Sequence, residues 1–437
     1  MYGAIIGDII GSRFEFDNGN KSKEFELFTS ECDFTDDTVM TIAIAEGLLD
    51  VGTDANEKTV KESIIHSMKK WGKKYPYAGY GQRFIGWVLS DDSEPYGSYG
   101  NGSGMRVAAV GWLYDTIERT REVARWTAEV THNHPEGVKG AESTAAAIFM
   151  ARNDASKKEI KDYLTSEFGY DLTRTLDEIR PTYYHVEDCM HTMPEAFECF
   201  LESESYEDCI RNVMYIGGDT DTLGAIAGAI AEAFWGLPVS IVKHTQDYLP
   251  KEMFEVINRF QEAIQPELPD DVDDYSFNQF IKEYIGEYKN GDEKARVRLL
   301  VCLVMRIYEN GQAPTPMEGF NNENGELDPD TIVAGNQSAL DTDFSLKIHV
   351  ITDEDGKRWI PFFTDEDELF KEETTSVIMN MPIGIIFEDG LFIEDVEGVV
   401  INPFGDALYL DKEKCEAILK QAEEVRDMRE HRNDQSQ

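Results

Sequence analysis

The sequence predicts an all-α amino-terminal helical bundle followed by a smaller α+β domain. Three observations carry that prediction. Up to about residue 262, apolar residues recur at a spacing near 3.6, with Ala and Gly abundant where helices must approach closely. From Pro266 to Asp274, prolines combine with five acids in a run that cannot join a packed core. Beyond that run, strand-like segments appear that the first part lacks. The expected layout is an all-α domain over residues 1–265, an acidic Pro-containing linker over 266–290 and an α+β accessory domain over 291–437.

In the first domain, helical spacing is expected over Thr38–Leu49, Glu57–Tyr75, Gly104–Tyr114, Thr120–Thr131, Val138–Ala151, Pro194–Glu202, Tyr206–Tyr215 and Leu223–Trp235. In the second, a helix over Asp292–Asn310 precedes a loop over Gly311–Gly335, rich in Asn, Gly and Pro. Strands are expected over Phe344–Thr352, Trp359–Phe363, Ser376–Asn380, Gly384–Phe387 and Gly398–Ile401, with Asp355-Gly356 as a hairpin turn. A charged amphipathic helix, Asp411–Glu430, ends the domain.

Composition narrows the function. The formal charge of −44 repels polyanions, so neither nucleic acid nor an anionic membrane is an expected general partner. An anionic substrate would have to be held by metal ions, helix N-termini or backbone N–H groups. Six cysteines, none in a C-x-x-C spacing, suit a reducing cytoplasm. The first residues lack a basic n-region, and Asp8 interrupts their apolar stretch, which argues against a signal peptide. No uncharged run approaches the roughly 18 residues that a membrane span needs.

Two short clusters concentrate the chemistry. Phe34-Thr35-Asp36-Asp37-Thr38 opens the apolar run Val39–Leu49, and Gly217-Gly218-Asp219-Thr220-Asp221-Thr222 opens Leu223–Trp235. A lone Asp-Thr before an apolar run is ordinarily an N-cap, because the first turn of a helix has free N–H groups. One cap needs only one side-chain oxygen, whereas each cluster carries two Asp and flanking Thr. Four converging carboxylates repel one another unless a multivalent cation sits among them. Carboxylate and hydroxyl oxygens suit hard divalent ions, magnesium or manganese above all. The pair therefore reads as a two-metal site built from two helix N-termini.

Three further segments lie near them in sequence. Gly11-Ser12-Arg13-Phe14-Glu15 places a carboxylate soon after a glycine. The loop Tyr96–Met105 has four glycines and runs into a helix, so its bare N–H groups suit a pyrophosphate, although a plain linker has the same composition. Thr131-His132-Asn133-His134-Pro135 contains an H-x-H, but no cysteine or third His lies near, which is too few ligands for zinc.

The order of these pieces resembles the ADP-ribosylglycohydrolase family. The matching segments are Gly3-Ala4-Ile5-Ile6-Gly7-Asp8 with Gly11-Ser12 and Glu15, the two acidic clusters, Gly100-Asn101-Gly102-Ser103 with Met105-Arg106, and His132 with His134-Pro135. The resemblance covers about residues 1–245 and implies an all-α fold with a binuclear magnesium or manganese centre that binds ADP-ribose. By that resemblance Thr35, Asp36, Asp37, Asp219, Asp221 and Thr222 match metal-ligand positions, and Glu15 matches an acid near the scissile bond. Glu15, Asp36 and Asp37 are then the expected catalytic residues. Gly100, Asn101, Gly102 and Ser103 match the loop around the diphosphate and distal ribose, and His132 matches a position lining the cleft.

Phe362–Leu369 and Val400–Gly405 look like an SseB-type domain, which implies an accessory or protein-binding module without chemistry. The expected activity is metal-dependent hydrolysis of the bond between ADP-ribose and an acceptor: arginine or serine of a protein, or a small molecule. Two alternatives stay open. One is a non-catalytic ADP-ribose-binding module whose carboxy-terminal domain recruits a partner; the other is a metal-dependent phosphohydrolase, since two-metal sites also serve that reaction.

Overall fold

The computed structural model describes residues 1–16, 21–264, 274–292, 294–321, 325–326, 344–371 and 377–435. The chain forms two compact units, Met1–Pro266 and Glu267–Gln437.

The first unit is built on two helices, Tyr2–Gly11 and Thr220–Trp235. Every residue of the first helix is buried, and nearly every residue of the second. Gly3, Gly7 and Gly11 share one helix face at i, i+4 spacing. They meet Gly228, Gly224 and Thr220 in antiparallel order. A Cβ on Gly7 would stand 2.0 Å from the Gly224 carbonyl oxygen, and one on Gly224 would stand 2.4 Å from that of Gly7. Only hydrogen side chains permit this backbone-to-backbone contact. It seats the end of the first helix against the start of the other.

The helix Asp36–Val51 packs beside this pair, and Glu57–Lys74, Ile117–Glu129 and Pro135–Arg152 complete the bundle around it. The expected helix over Gly104–Tyr114 is two short ones, Gly102–Met105 and Ala108–Leu113. The chain breaks at Arg106 and Val107, with ψ of −4° and −1°, where the Arg106 side chain turns into the core. The helix expected from Pro194 begins earlier, at Cys189, because the Asp188 side chain caps it by accepting from His191 N–H. Helices Gln82–Leu89, Lys157–Phe168 and Lys251–Ile264 escaped the sequence reading.

In the second unit, residues 274–289 of the expected linker form the helix Asp274–Lys289 instead, while 265–273 lie outside the described residues. Helix Ala295–Tyr308 follows. The strands are β1 (Gln312–Asn321), β2 (Gly325–Glu326), β3 (Phe344–Ile348), β4 (Ile351–Thr352), β5 (Arg358–Phe362), β6 (Val377–Pro382), β7 (Gly398–Ile401) and β8 (Leu408–Asp411). β1 pairs antiparallel with β2, β3 and β6. The other sheet has the order β4-β5-β7-β8, with β5 and β7 parallel.

Two expectations are corrected here. Part of the expected loop Gly311–Gly335 is β1; its Pro314 and Pro316 pair with Asn380 and Ile378 of β6, and the Pro316 carbonyl also accepts from His349 N–H at 2.9 Å. The expected strand Gly384–Phe387 lies in the helix Ile383–Phe392, whose buried residues Ile383, Ile386, Phe387 and Gly390 follow helical spacing. The closing helix runs Lys412–Gln435.

The glycine contact yields a prediction. Gly7→Ala should destabilise the protein by about 3 kcal/mol or more, because a backbone carbonyl cannot move aside as a flexible side chain does. Gly86→Ala is the control: a Cβ there meets nothing within 4 Å, and helix propensity favours it by up to about 1 kcal/mol. Urea titrations of the two variants check this, and equal midpoints would refute the constraint.

Candidate active site

Asp8 is the first residue of the site, and it sits in a helix with no exposed face. A carboxylate there must find hydrogen bonds or cost several kcal/mol. It finds them at the start of a different helix. Its Oδ2 accepts from the backbone N–H groups of Thr35 and Thr38, both at 3.0 Å, and its Oδ1 accepts from the Thr35 hydroxyl at 2.7 Å. Thr35 in turn accepts from Asp37 N–H at 3.2 Å. The start of helix Asp36–Val51 is thus capped from outside.

The two acidic clusters meet at this point. Asp8, Asp37 and Asp221, all buried, present carboxylate oxygens within 4.8 Å of one another. Thr222 donates its hydroxyl to Asp37 Oδ2 at 3.1 Å, while Asp37 Oδ1 is buried with no partner. Gly217 and Gly218, with φ of 74° and 91°, make the left-handed turn that delivers Asp219 and Asp221 to the helix start. Beside this trio lies a second: Glu15, His185 and Asp219 also bring ligand atoms within 4.8 Å of one another. Asn101 donates to Asp219 Oδ2 at 2.6 Å and to the Thr192 hydroxyl at 3.1 Å, which ties the glycine-rich loop to the second cluster.

Burial and mutual repulsion dominate the electrostatics. Burial pushes Asp8 up to about 6. Burial, joined by the charge of Glu15, pushes Asp219 up to about 7, and burial with the Asp221 charge does the same for Glu15. Asp36, Asp37 and Asp221 are held well above the usual carboxyl range, by burial first and by neighbouring carboxylates next. Hydrogen bonds from Thr35, Thr38 and Asn101 offset only part of this.

These groups open into a cleft of about 540 Å³, a size suited to a small-molecule ligand. Glu15, Asp36, Asp37, Asp219, Asp221 and Thr222 line it, as do Gly100, Asn101, Gly102 and His132. Tyr80, Arg83, Phe84, Tyr96 and Arg106 complete much of the wall. His132 is 5% exposed, and burial together with the charges of Arg106 and Arg83 holds it well below its usual pKa.

Two expected residues are placed differently. Ser103 is fully buried beneath the loop, donating to the Gly137 carbonyl at 2.6 Å, and is absent from the cleft lining. The Thr35 hydroxyl is engaged by Asp8 and Asp37 and likewise does not line the cleft. His134 does not join His132: its ring accepts from Glu136 N–H at 3.2 Å and caps the helix Pro135–Arg152. Asp8, matched only as part of the segment Gly3–Asp8, and His185 are not among the expected site residues. For Asp8 a signal existed, since one acid inside a wholly apolar helix needs a partner. His185 carries no such signal, because only the fold brings it to Glu15.

Comparison with known proteins places the chain in a family. Residues 1–270 match the ADP-ribosylglycohydrolase family, and residues 317–417 match the SseB protein N-terminal domain. ADP-ribosylhydrolase ARH3 of Homo sapiens is 27% identical over 314 residues, covering 54% of this chain and 84% of that protein. ADP-ribosylarginine hydrolase Tri1 of Pseudomonas putida (strain GB-1) is 26% identical over 271 residues, covering 54% of this chain and 70% of the relative. A solved ADP-ribosylglycohydrolase-related protein complex superposes with a TM-score of 0.45 at 20% identity, over 60% of this chain and 93% of that one. With the family match extending over more than half of its length, the chain belongs to the ADP-ribosylglycohydrolase family and is a glycohydrolase enzyme.

Proposed function

We propose that the enzyme uses divalent metal ions to hydrolyse the glycosidic bond between ADP-ribose and an acceptor, an arginine or serine side chain or a small molecule. The observation that carries this reading is the buried trio Asp8, Asp37 and Asp221 with an orphaned oxygen on Asp37, of which Asp37 and Asp221 share the cleft lining with Glu15. An all-oxygen set of acids that raise one another's pKa fits hard cations, magnesium or manganese. Asp8, Asp36, Asp37, Asp219, Asp221 and Thr222 would hold a pair of such ions, with Thr35 behind them positioning Asp8. When bound, the ions supply Lewis-acid charge to ribose hydroxyls and to water near the anomeric carbon.

The chain's own residues do the rest. Glu15, poised near neutrality, takes a proton from the attacking water and returns one to the leaving group as the C1″–acceptor bond breaks. Asn101 keeps Asp219 oriented, and Gly100 and Gly102 leave room for a close approach of the diphosphate. The match of residues 317–417 to the SseB protein N-terminal domain supports an accessory, partner-binding role for the second unit.

A turnover assay with ADP-ribosyl-arginine and ADP-ribosyl-serine peptides plus magnesium tests the reading. Wild-type protein should release free ADP-ribose, and release of AMP would favour phosphohydrolysis instead. Asp36→Ala and Asp219→Ala should lose bound metal and turnover while keeping their helical circular dichroism. Glu15→Gln should slow hydrolysis by about 100-fold or more while ADP-ribose binding survives. Unchanged turnover in that variant would remove Glu15 from the mechanism.

Acid titration gives an independent check. A carboxyl whose folded pKa is raised contributes stability that is full below its unfolded pKa, near 4, and is lost as pH rises through the folded value. For Asp8, Asp219 and Glu15 those folded values are about 6, about 7 and about 7. In chelator, the melting temperature should therefore fall more steeply from about pH 5 to pH 8 in wild type than in Asp219→Asn. Magnesium should restore the wild type at the upper end more than the variant. Parallel curves in calorimetry would show that the acids do not share one site.

A further inference from the structure

Arg106 is 1% exposed, lines the cleft, and has no carboxylate in ion-pair contact among the described residues. Its Nη2 donates to the Thr131 hydroxyl at 2.9 Å and to the Thr127 carbonyl at 3.3 Å, and its Nε has no partner. Burial pulls its pKa down to about 10, which leaves it charged at neutral pH. A guanidinium only donates, so the Thr131 oxygen must accept from it. The hydroxyl's own hydrogen then has one acceptor in reach among the described residues, His132 Nδ1 at 2.8 Å. A ring nitrogen that accepts carries no hydrogen, and a neutral imidazole carries one, so that hydrogen is on Nε2. Burial and the charges of Arg106 and Arg83 keep this ring neutral.

Nε2 faces the glycine loop. A Cβ on Gly102 would stand 3.2 Å from it and one on Gly100 would stand 3.7 Å away. The N–H therefore points toward the part of the cleft that this loop lines. The charge of a group bound there follows from the guanidinium beneath it, which has no carboxylate in contact among the described residues, since a buried charge calls for a counter-charge.

We infer that Arg106, acting through Thr131, is a positioning residue that locks His132 as an Nε2–H donor to an anionic oxygen of the substrate, one of the phosphates of the nucleoside diphosphate sugar. The inference rests on the proposed substrate class but not on the hydrolytic step. The relay makes the pocket selective: a ribosyl substrate without phosphates leaves both the Nε2 donor and the guanidinium charge unanswered.

The test compares the full-length protein with Thr131→Val, which removes the hydroxyl, and Thr131→Ser, which keeps it. Nitrogen-15 spectra of the His132 ring should show the hydrogen on Nε2 in wild type and Thr131→Ser, and a mixture of tautomers in Thr131→Val. Thr131→Val should also raise the KM for an ADP-ribosylated peptide and the Kd for ADP-ribose by about tenfold, as expected for one lost hydrogen bond to a charged group, while kcat moves far less. Thr131→Ser should restore both constants. A wild-type ring protonated on Nδ1, or a Thr131→Val protein with a single Nε2–H tautomer and unchanged Kd, would overturn the relay. If no peptide is cleaved, the hydrolytic reading fails alone, and the tautomer and the ADP-ribose Kd still decide this one.

Discussion

The contact of two glycine-faced helices is the constraint on which the catalytic unit depends. Gly3, Gly7 and Gly11 lie against the backbone of Gly228, Gly224 and Thr220. That contact fixes register as well as distance. A slip of one helical turn would move Asp8 by about 5.4 Å, more than the spread of the Asp8, Asp37 and Asp221 oxygens. The apolar packing of Ile5, Ile6, Ile9 and Ile10 provides stability, but residues of similar volume would provide nearly as much. What the glycines add is a single allowed alignment, and the site requires it.

The alignment has an electrostatic cost. Six acids crowd the two clusters; burial is the largest cause that raises the pKa of each, and neighbouring carboxylates raise five of them further. A fold selected for stability alone would replace such a cluster with apolar side chains. The chain as a whole carries −44, yet the cleft holds Arg83 and Arg106 in its wall. Two guanidinium groups therefore stand among the acids of this cleft, in a chain that is acidic overall. The general field discourages polyanions, while the cleft offers cations to a small anion that fits inside.

Much of this was legible in the sequence, and the rest was hidden for definite reasons. The acidic clusters could be read because each opens a long apolar run, so local sequence placed both at helix starts. Gly100, Asn101 and Gly102 announced a loop that a ligand can approach. Ser103, adjacent to them, has the same composition signal, but its orientation depends on Gly137, which is remote in sequence. His185 reaches Glu15 only through tertiary folding. In the second unit, the apolar run Gly384–Phe387 fits both strand and helix over so short a length, and Pro382 at the helix start settled it. The prolines of β1 disguised a strand, because proline is depleted from strand interiors.

The capping arrangement explains why acids at two helix starts are free for chemistry. An Asp at such a position ordinarily spends its oxygens on the N–H groups of the first turn. Here Asp8 arrives from another helix and takes the N–H groups of Thr35 and Thr38, while the Thr35 hydroxyl takes that of Asp37. Asp37 is left with a buried oxygen that bonds to nothing. At the other helix, Asp219 occupies the N-cap position yet makes no side-chain cap bond, and its Oδ2 is met instead by Asn101. Both helices thus begin without calling on the full bonding capacity of their own acids. An orphaned carboxylate oxygen in a protein interior costs too much to be an accident of capping, and the deficit is of the kind a cation in the cleft would fill.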